Sequence, residues 1–553
     1  MADPVRIVFL GGLGEIGRNC ACIEVAGRIM LLDCGLMFPD ADMPGIDLVL
    51  PDFSYLRDNA ERVEAAIITH GHEDHCGGLS YLLRELSFPI YGSALSLGLA
   101  RSRIEEAGLL DRTELIVVSD GERRQIGPFD VEFIPVTHSV PHGFATAFHT
   151  PRGVILHSGD FKIDLTPVDG RATDLARMGA LANGPGVRLL LADSTNAEEE
   201  GHTVSESRVG GVLAGLFAAN RDKRVIVACF ASHIHRVQQI ANAAIANGRT
   251  IATLGRSMAR NVALARSMGL LDIPSASLVD IEAVKDLDPR RVCVICTGSQ
   301  GEPMSALALM ASGDNRWIKV GDGDLVVLSS HAIPGNETNV GKVIDGLMRR
   351  GADVVHSGLA DVHVSGHAKR DELRILLSLT RPHCFVPVHG EFRHLSHHAA
   401  LAREMGVAPE RILLAEDGDI VELGVDGIDF AGEVPAGYLY VDGIVGDVSH
   451  GVLRDRKLLA EEGVVVVVVT VDAKTGEILR APEIITRGWV HAPEAESLLG
   501  EAAKTVLDAV EDVTSSGPVD VEAIRRRARG ALGRFVSQRT RRRPMIVPVV
   551  TEV

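Results

Sequence analysis

Short apolar runs broken by Gly, Asp and Pro dominate the first 160 residues. "VRIVFL" (5–10), "CACIEVAG" (20–27), "RIMLLDCG" (28–35) and "AAIITH" (65–70) have strand length, and parts of them alternate apolar with polar, so four strands are predicted. The leucines of "GLSYLLREL" (78–86) fall at helical spacing. "DVEFIPVTHS" (130–139) and "GVILHSGDF" (153–161) return to the strand pattern and end in polar residues, where a layered α/β protein presents its chemistry. From about 206 to 350 strand and helix patterns alternate: "KRVIVACF" leads into "RVQQIANAAIANG", and "RRVCVICTGSQGE" into "MSALALMASG". That predicts a parallel α/β unit, continued by "DLVVLSSHAIPGNE" and "ADVVHSG". "RPHCFVPVHGE" (381–391) is a further strand ending in His and Gly. After about 445, "EEGVVVVVVTVDAKTGEILRAPEIITRGWV" reads as a hairpin. The helix "PEAESLLGEAAKTVLDAVEDV" and an arginine-rich stretch follow, as a small separate α/β domain.

The length of 553 residues predicts two or three domains. Apolar and charged contents of 46% and 24% are those of an ordinary globular protein, and no apolar run approaches the roughly 18 residues of a membrane span. "MADPVRIVFLGG" has no basic stretch ahead of an apolar one, so no signal peptide is expected. Eight sparse cysteines suit a reducing cytoplasm. The net charge of −18 taken alone argues against non-specific nucleic-acid binding, but charge is local and a basic channel fits within an acidic protein.

Two motifs are set aside. "GGLGEIG" holds G-x-G-x-x-G at Gly12, Gly14 and Gly17, yet alternating strand pattern follows where a dinucleotide fingerprint needs a helix. Cys293 and Cys296 in "VCVIC" have zinc-like spacing but sit in an apolar strand without a second pair, and read as core thiols.

The chemistry concentrates in "HGHEDH", where His70, His72, Asp74 and His75 fall within six residues. Imidazoles and carboxylates suit zinc, and also manganese. One four-coordinate zinc cannot use all four, take ligands from elsewhere and keep an open position, so the density predicts two metals. Further ligands are sought at strand ends: His138, Asp160 and His389, with His142, His149 and His157 as competitors.

H-x-H-x-D-H followed by "THS" and "GDF" is similar to the pattern of metallo-β-lactamase-fold metallohydrolases. "LLADSTN" (190–196), "HVSGH" (363–367) and "VPVHGE" (386–391) resemble three motifs of the nucleic-acid-processing β-CASP group. With "TGSQGEPMSAL" (297–307) and the C-terminal extension, the chain resembles the bacterial ribonuclease J family over essentially its whole length, most weakly at the C-terminus. The resemblance implies an αββα sandwich in two parts, 1–205 and 366–445, around an inserted β-CASP α/β domain at 206–365, with a C-terminal α/β domain at 446–553. It implies that His70, His72 and His138 hold one zinc, that Asp74, His75 and His389 hold the other, and that Asp160 bridges them. Asp74, Asp193 and His367 make up the implied catalytic set, with Asp193 orienting the site.

Two zinc ions about 4 Å apart suit in-line attack of a metal-bridged hydroxide on a phosphodiester. The leaving 3′ oxygen needs a proton, assigned here to His367, whose alternative role is phosphate binding. His363, Val364, Ser365, Gly366 and His367 offer several donors to one phosphate. Ser232 and His233 in "FASHIHR" resemble a second phosphate contact, against a plain strand end and helix cap. The family reading places a pocket for a 5′ monophosphate there. It implies 5′-to-3′ exoribonuclease and endoribonuclease activity in mRNA decay and rRNA maturation. It also implies a homodimer or homotetramer, with an RNA-decay complex as a further partner. Asp47 with Asp442 is a candidate calcium site, since some relatives carry that ion near the acidic loop 38–52. The tail 524–544, nine arginines without an acid, reads either as an RNA contact or as a solvated helix face. The competing functions are a DNA-processing relative, a small-molecule hydrolase of the same fold and an RNA-binding scaffold without turnover.

Overall fold

A computed structural model describes residues 4–553 apart from 41, 334, 444–447, 476, 491–494 and 515–519, with backbone only at 450 and 512–514. The chain divides into two compact units, residues 1–38 with 49–439, and residues 39–48 with 440–553.

Two sheets form the centre of the first unit. Eight strands lie in the order Ile428–Glu433, Asp419–Leu423, Val5–Gly11, Cys20–Val25, Arg28–Leu32, Val63–Ile67, Ile90–Gly92 and Leu115–Val117. Six more lie in the order Cys384–Val388, Val187–Asp193, Gly153–His157, Gly143–Thr150, Phe129–Val136 and Arg123–Ile126. The period-2 pattern explains the stacking. Phe133, Ile155 and Leu189 turn toward Ile7, Phe9, Ile23 and Met30 of the other sheet. Their neighbours Ile134, Leu156 and Leu190 turn the opposite way, onto Met178, Leu373, Leu376 and Leu401 of the helices Leu175–Asn183, Arg370–Thr380 and Phe392–Glu404. Both faces of those strands are thus buried, which is why they read as continuous apolar runs. This is the αββα sandwich.

The region between 206 and 356 builds a third sheet of six strands, Leu278–Val279, Thr250–Leu254, Val292–Cys296, Arg224–Ala228, Asp324–Leu328 and Asp353–His356, parallel throughout. Val225 and Val227 pack on one face, Ile226 and Ala228 on the other. Cys293 and Cys296 are buried free thiols in its strand Val292–Cys296, as expected.

The second unit holds the expected hairpin, Val464–Val471 antiparallel to Ile478–Arg487. Helices Glu496–Thr514 and Val521–Thr540 cover one face, meeting Val465, Val467 and Val469 with Ala502, Val506, Ile524 and Leu532. The third strand, Met545–Glu552, runs parallel to Val464–Val471 and was not predicted. The helix predicted over 78–86 is a single turn, Leu79–Leu82, because Pro89 and the strand at Ile90 force the chain back to extended backbone. Among the described residues, no helix is long and apolar enough to cross a membrane.

Candidate metal centre

The "HGHEDH" run turns from strand Val63–Ile67 into the one-turn helix Glu73–Cys76, with His72 still extended at its N-cap. Backbone bonds clamp this turn onto the chain beyond strand Arg28–Leu32. Cys34 N–H donates to His75 O, Leu36 N–H to Glu73 O and Asn19 N–H to Asp74 O. A Cβ on Gly35 would lie 1.7 Å from Asp74 O, so only glycine permits this approach.

The remaining expected ligands leave neighbouring strand ends. Strand Val187–Asp193 pairs in parallel with both Gly153–His157 and Cys384–Val388, placing Asp193 opposite Val388. Asp160, Asp193 and His389 therefore emerge at one edge, with His389 in the left-handed region at φ 54°. A non-glycine residue held there is strained, a cost that clusters at functional sites.

Three groups of potential ligand atoms result: His70, His72, His138 and Asp160; Asp74, His75, Asp160 and His389; Asp160, Asp193, His367 and His389. His72 Nδ1 lies 3.1 Å from both His70 Nε2 and His138 Nε2. Asp160 Oδ2 lies 3.5 Å from His70 Nε2, 3.8 Å from His138 Nε2 and 3.2 Å from His75 Nε2. Its other oxygen, Oδ1, is 3.5 Å from His389 Nδ1, the nitrogen on the far side of that ring from Asp74. Asp74 Oδ2 is 3.3 Å from His389 Nε2 and 3.6 Å from His75 Nε2. A tetrahedron with bonds of about 2.0–2.1 Å has edges of roughly 3.3 Å, so these spacings fit a cation at the centre of each of the first two groups.

The outer nitrogens are anchored, which aims the inner ones. His75 Nδ1 is 2.7 Å from Asp33 Oδ2 and His138 Nδ1 is 2.9 Å from Gly366 O. Thr195 Oγ1 donates to Asp193 Oδ1 and lies 3.1 Å from His389 Nδ1. Such partners fix tautomer and ring orientation. Asp33 itself accepts from Thr69 N–H and Oγ1 at 2.7 and 2.8 Å.

The electrostatics suit cations. Burial, with neighbouring imidazoles, holds His70 and His138 well below the ordinary histidine value, and His72 is lowered to about 4. Burial opposes ionisation of Asp160, yet His389, His75 and His70 keep its carboxyl well below the usual range. His75 is driven up against burial by Asp160, Asp74 and Asp33. Three imidazoles that reject protons, facing ionised carboxylates, form a donor set with lone pairs to give and negative charge to be met.

His367 stands beside this cluster. Its Nδ1 is 2.8 Å from Asp193 Oδ2, and its ring is 4.9 Å from that of His138. Burial pulls its imidazole down, but Asp193, by charge and hydrogen bond, with Asp160 and Asp74, raises it to about 9. Ser365 Oγ accepts from Asn196 Nδ2 at 2.8 Å, and the Ser365 and Gly366 N–H groups donate to no other described residue. His363 Nδ1 and His233 Nδ1 are buried without a hydrogen-bond partner among the described residues, while His233 Nε2 lies 3.4 Å from Glu206 Oε1. His233 is held to about 4 by burial. It occupies the N-cap of helix Ile234–Ala246 but makes no cap bond, and Ser232 beside it is half-buried. Val364 is buried in the inserted domain's core.

The competitors lie outside the ligand groups. His149 pairs with Glu132, His157 Nδ1 accepts from Gly159 N–H, and His142 is half-buried away from the cluster. In the second unit, Asp442 pairs with Arg456 and Asp47 accepts from Gly443 N–H, so both carboxylates already have donors. Sequence reasoning missed Asp33, Thr69, Asn19 and Thr195. The one signal was Asp33 at the polar end of the "RIMLLDCG" run.

A histidine–aspartate cluster at the edge of an αββα sandwich, with a parallel α/β insertion, defines a metal-dependent hydrolase of the metallo-β-lactamase class. Residues 13–190 match the family described as metallo-beta-lactamase superfamily, and 352–413 the Zn-dependent metallo-hydrolase RNA specificity domain. Residues 222–347 match the ribonuclease J beta-CASP domain and 451–553 the ribonuclease J C-terminal domain. The chain is 41% identical over 549 residues to ribonuclease J 1 of Streptococcus pyogenes, covering 99% of this chain and 98% of that one. It is 43% identical over 551 residues to ribonuclease J of Mycolicibacterium smegmatis, covering 99% and 97%. A solved structure of a protein of unknown function from Enterococcus faecalis shares the fold, with a TM-score of 0.54, 16% identity, and coverage of 76% of this chain and 100% of that one. The chain belongs to the ribonuclease J family, and is a metal-dependent ribonuclease.

Proposed function

We propose that the chain is a two-zinc ribonuclease, manganese being the alternative metal, that degrades RNA from 5′-monophosphorylated ends in the 5′-to-3′ direction and also cuts internally. The observation that carries this reading is Asp160, which belongs to every ligand group of the cluster and sets one oxygen, Oδ2, against His70 and His138 of the first group and His75 of the second. In this reading His70, His72 and His138 would hold one ion and Asp74, His75 and His389 the second, with Asp160 available to both. When bound, the ions supply Lewis acidity and a water acidic enough to attack at neutral pH.

The chain's own residues do the rest. Asp193 Oδ2 accepts a hydrogen bond from His367 Nδ1–H, which holds the ring so that its Nε2–H is the one available to the departing 3′ oxygen. Ser365 and Gly366 offer backbone N–H donors and His363 and His233 each an unpaired Nδ1 to a 5′ phosphate, with Ser232 and Val364 flanking them. A terminal monophosphate seated there sets the register of cleavage, and a triphosphate brings charge and bulk without partners. The reading divides the chain near 205, 365 and 445, around the parallel sheet of the insertion. It places the chain in mRNA decay and rRNA maturation in the cytoplasm, as a homodimer or homotetramer, with the Asp47–Asp442 calcium site as its weakest part. The test is a time course on RNA of one sequence with either 5′ end. Mononucleotides released faster from the monophosphate support the reading. Equal rates remove the pocket from it.

A further inference from the structure

Helix Val521–Thr540 carries a charge pattern that the cleavage site does not use. Ile524, Ala528, Ala531, Leu532 and Val536 turn inward onto the C-terminal sheet. Arg526, Arg527, Arg529 and Arg534 are exposed, and at about 100° per residue they share an arc of roughly 160° facing away from that apolar side. Of the nine arginines between 524 and 544, Arg525 pairs with Glu522, Arg539 with Glu501 and Arg542 with Glu462. Among the described residues, no carboxylate pairs with Arg526, Arg527, Arg529 or Arg534. Four crowded guanidinium groups repel one another along the helix. The middle of the same arc holds Gly530, where a Cβ would meet only the Arg534 guanidinium at 3.5 Å. Glycine inside a helix is unfavourable, and here it leaves the middle of the arginine arc without a side chain.

We propose that this arginine face is an RNA-contacting surface separate from the cleavage site, gripping the phosphodiester backbone of single-stranded RNA without reading its bases. Planar guanidinium forks match phosphate oxygens, and a polyanion relieves the repulsion of four guanidinium groups that no carboxylate among the described residues pairs with. The exposed arc carries no aromatic side chain for stacking, so affinity there is electrostatic and independent of sequence. The proposal rests on RNA being the substrate, and turnover of a short oligonucleotide, followed in parallel, keeps the two claims apart.

The experiment uses the full chain with Arg526, Arg527, Arg529 and Arg534 replaced together by Gln, and a second variant with Lys at the same positions. Binding of a long single-stranded RNA is measured in chelator over a salt series. The Gln variant is expected to bind more weakly, with the slope of log affinity against log salt reduced by about 2 to 3, as four lost phosphate contacts require. The Lys variant is expected to keep the wild-type slope, and both keep wild-type turnover of an oligonucleotide of a few residues. Wild-type slope and affinity in the Gln variant would overturn the proposal. So would a change of oligomeric mass with the slope unchanged, which marks a protein contact instead. Should the Gln variant not fold, phenylglyoxal labelling of the wild-type chain decides. RNA must protect these four arginines, and unprotected labelling rejects the surface. Absent turnover of the short oligonucleotide by the wild type would instead overturn the ribonuclease reading.

Discussion

His367 Nδ1 and Asp193 Oδ2 lie 2.8 Å apart, 174 positions apart in sequence. The bond ties the end of strand Val187–Asp193 to the segment that follows the inserted domain, and it sets both the charge and the direction of the imidazole. Asp193→Asn keeps the size but removes the charge that holds the proton. The expected result is a fall in kcat of about 100-fold or more with KM nearly unchanged, as for loss of an oriented general acid. Steady-state kinetics on a monophosphorylated RNA check it, and a rise in KM alone assigns Asp193 to substrate binding.

Gly366 ties the segment 363–367 directly to the His138 ring. A Cβ there would lie 2.7 Å from His138 Cε1, and Gly366 O receives His138 Nδ1–H. Gly366→Ala is expected to displace the His138 ring and lower metal affinity about 10- to 100-fold while leaving the fold intact. Metal titration alongside circular dichroism measures both, and wild-type affinity removes Gly366 from a supporting role.

Arg236 and Glu206 form a buried ion pair in the inserted region, with Nε and Nη2 at 2.8 and 2.9 Å from the two carboxylate oxygens. Arg236 also donates to Val362 O, next to His363. Arg236→Met leaves Glu206 charged and without its guanidinium partner, His233 Nε2 remaining at 3.4 Å, at an expected cost of about 3–5 kcal/mol. Adding Glu206→Met recovers much of that loss. Chemical denaturation of the three variants tests the pairing, and additive losses contradict it.

Asp417 gives a pH dependence remote from the metals. Arg18 is shared between Glu15 and Asp417, at 2.7 and 2.8 Å, so one cation faces two carboxylates. Burial, then Glu15, raises the Asp417 carboxyl to about 7 despite Arg18. The folded chain therefore keeps a proton that the unfolded chain loses near pH 4. Stability contributed by that proton is present below about pH 4 and is lost as pH rises toward 7. Asp417→Asn is expected to flatten that window in denaturation midpoints taken from pH 5 to 8. An unchanged slope assigns the pH dependence to other groups.

Much of the site is legible in sequence because its parts are local or lie at strand ends. The run from His70 to His75 identifies itself by density, and "VTHS", "SGDF" and "PVHGE" each place a ligand type where an apolar strand stops. Asp33 was not found because its role depends on a contact 42 positions away, and a lone aspartate after a strand looks like any turn residue. The Glu206–Arg236 pair stayed hidden for the same reason. It is made where the start of one helix meets the flank of another, and either residue alone reads as surface charge. Strand Met545–Glu552 was missed because two prolines and its exposed positions blur the alternation of an edge strand. "GGLGEIG" is followed by strand, not helix, at Cys20, as the alternating pattern predicts, though Leu13–Gly14 within it forms a short strand of its own beside Gly390–Glu391.

The most direct test of the account is anomalous diffraction from crystals grown in zinc. It predicts two peaks per chain, one enclosed by His70, His72, His138 and Asp160, the other by Asp74, His75, Asp160 and His389. A single peak, or one lying away from Asp160, would contradict it.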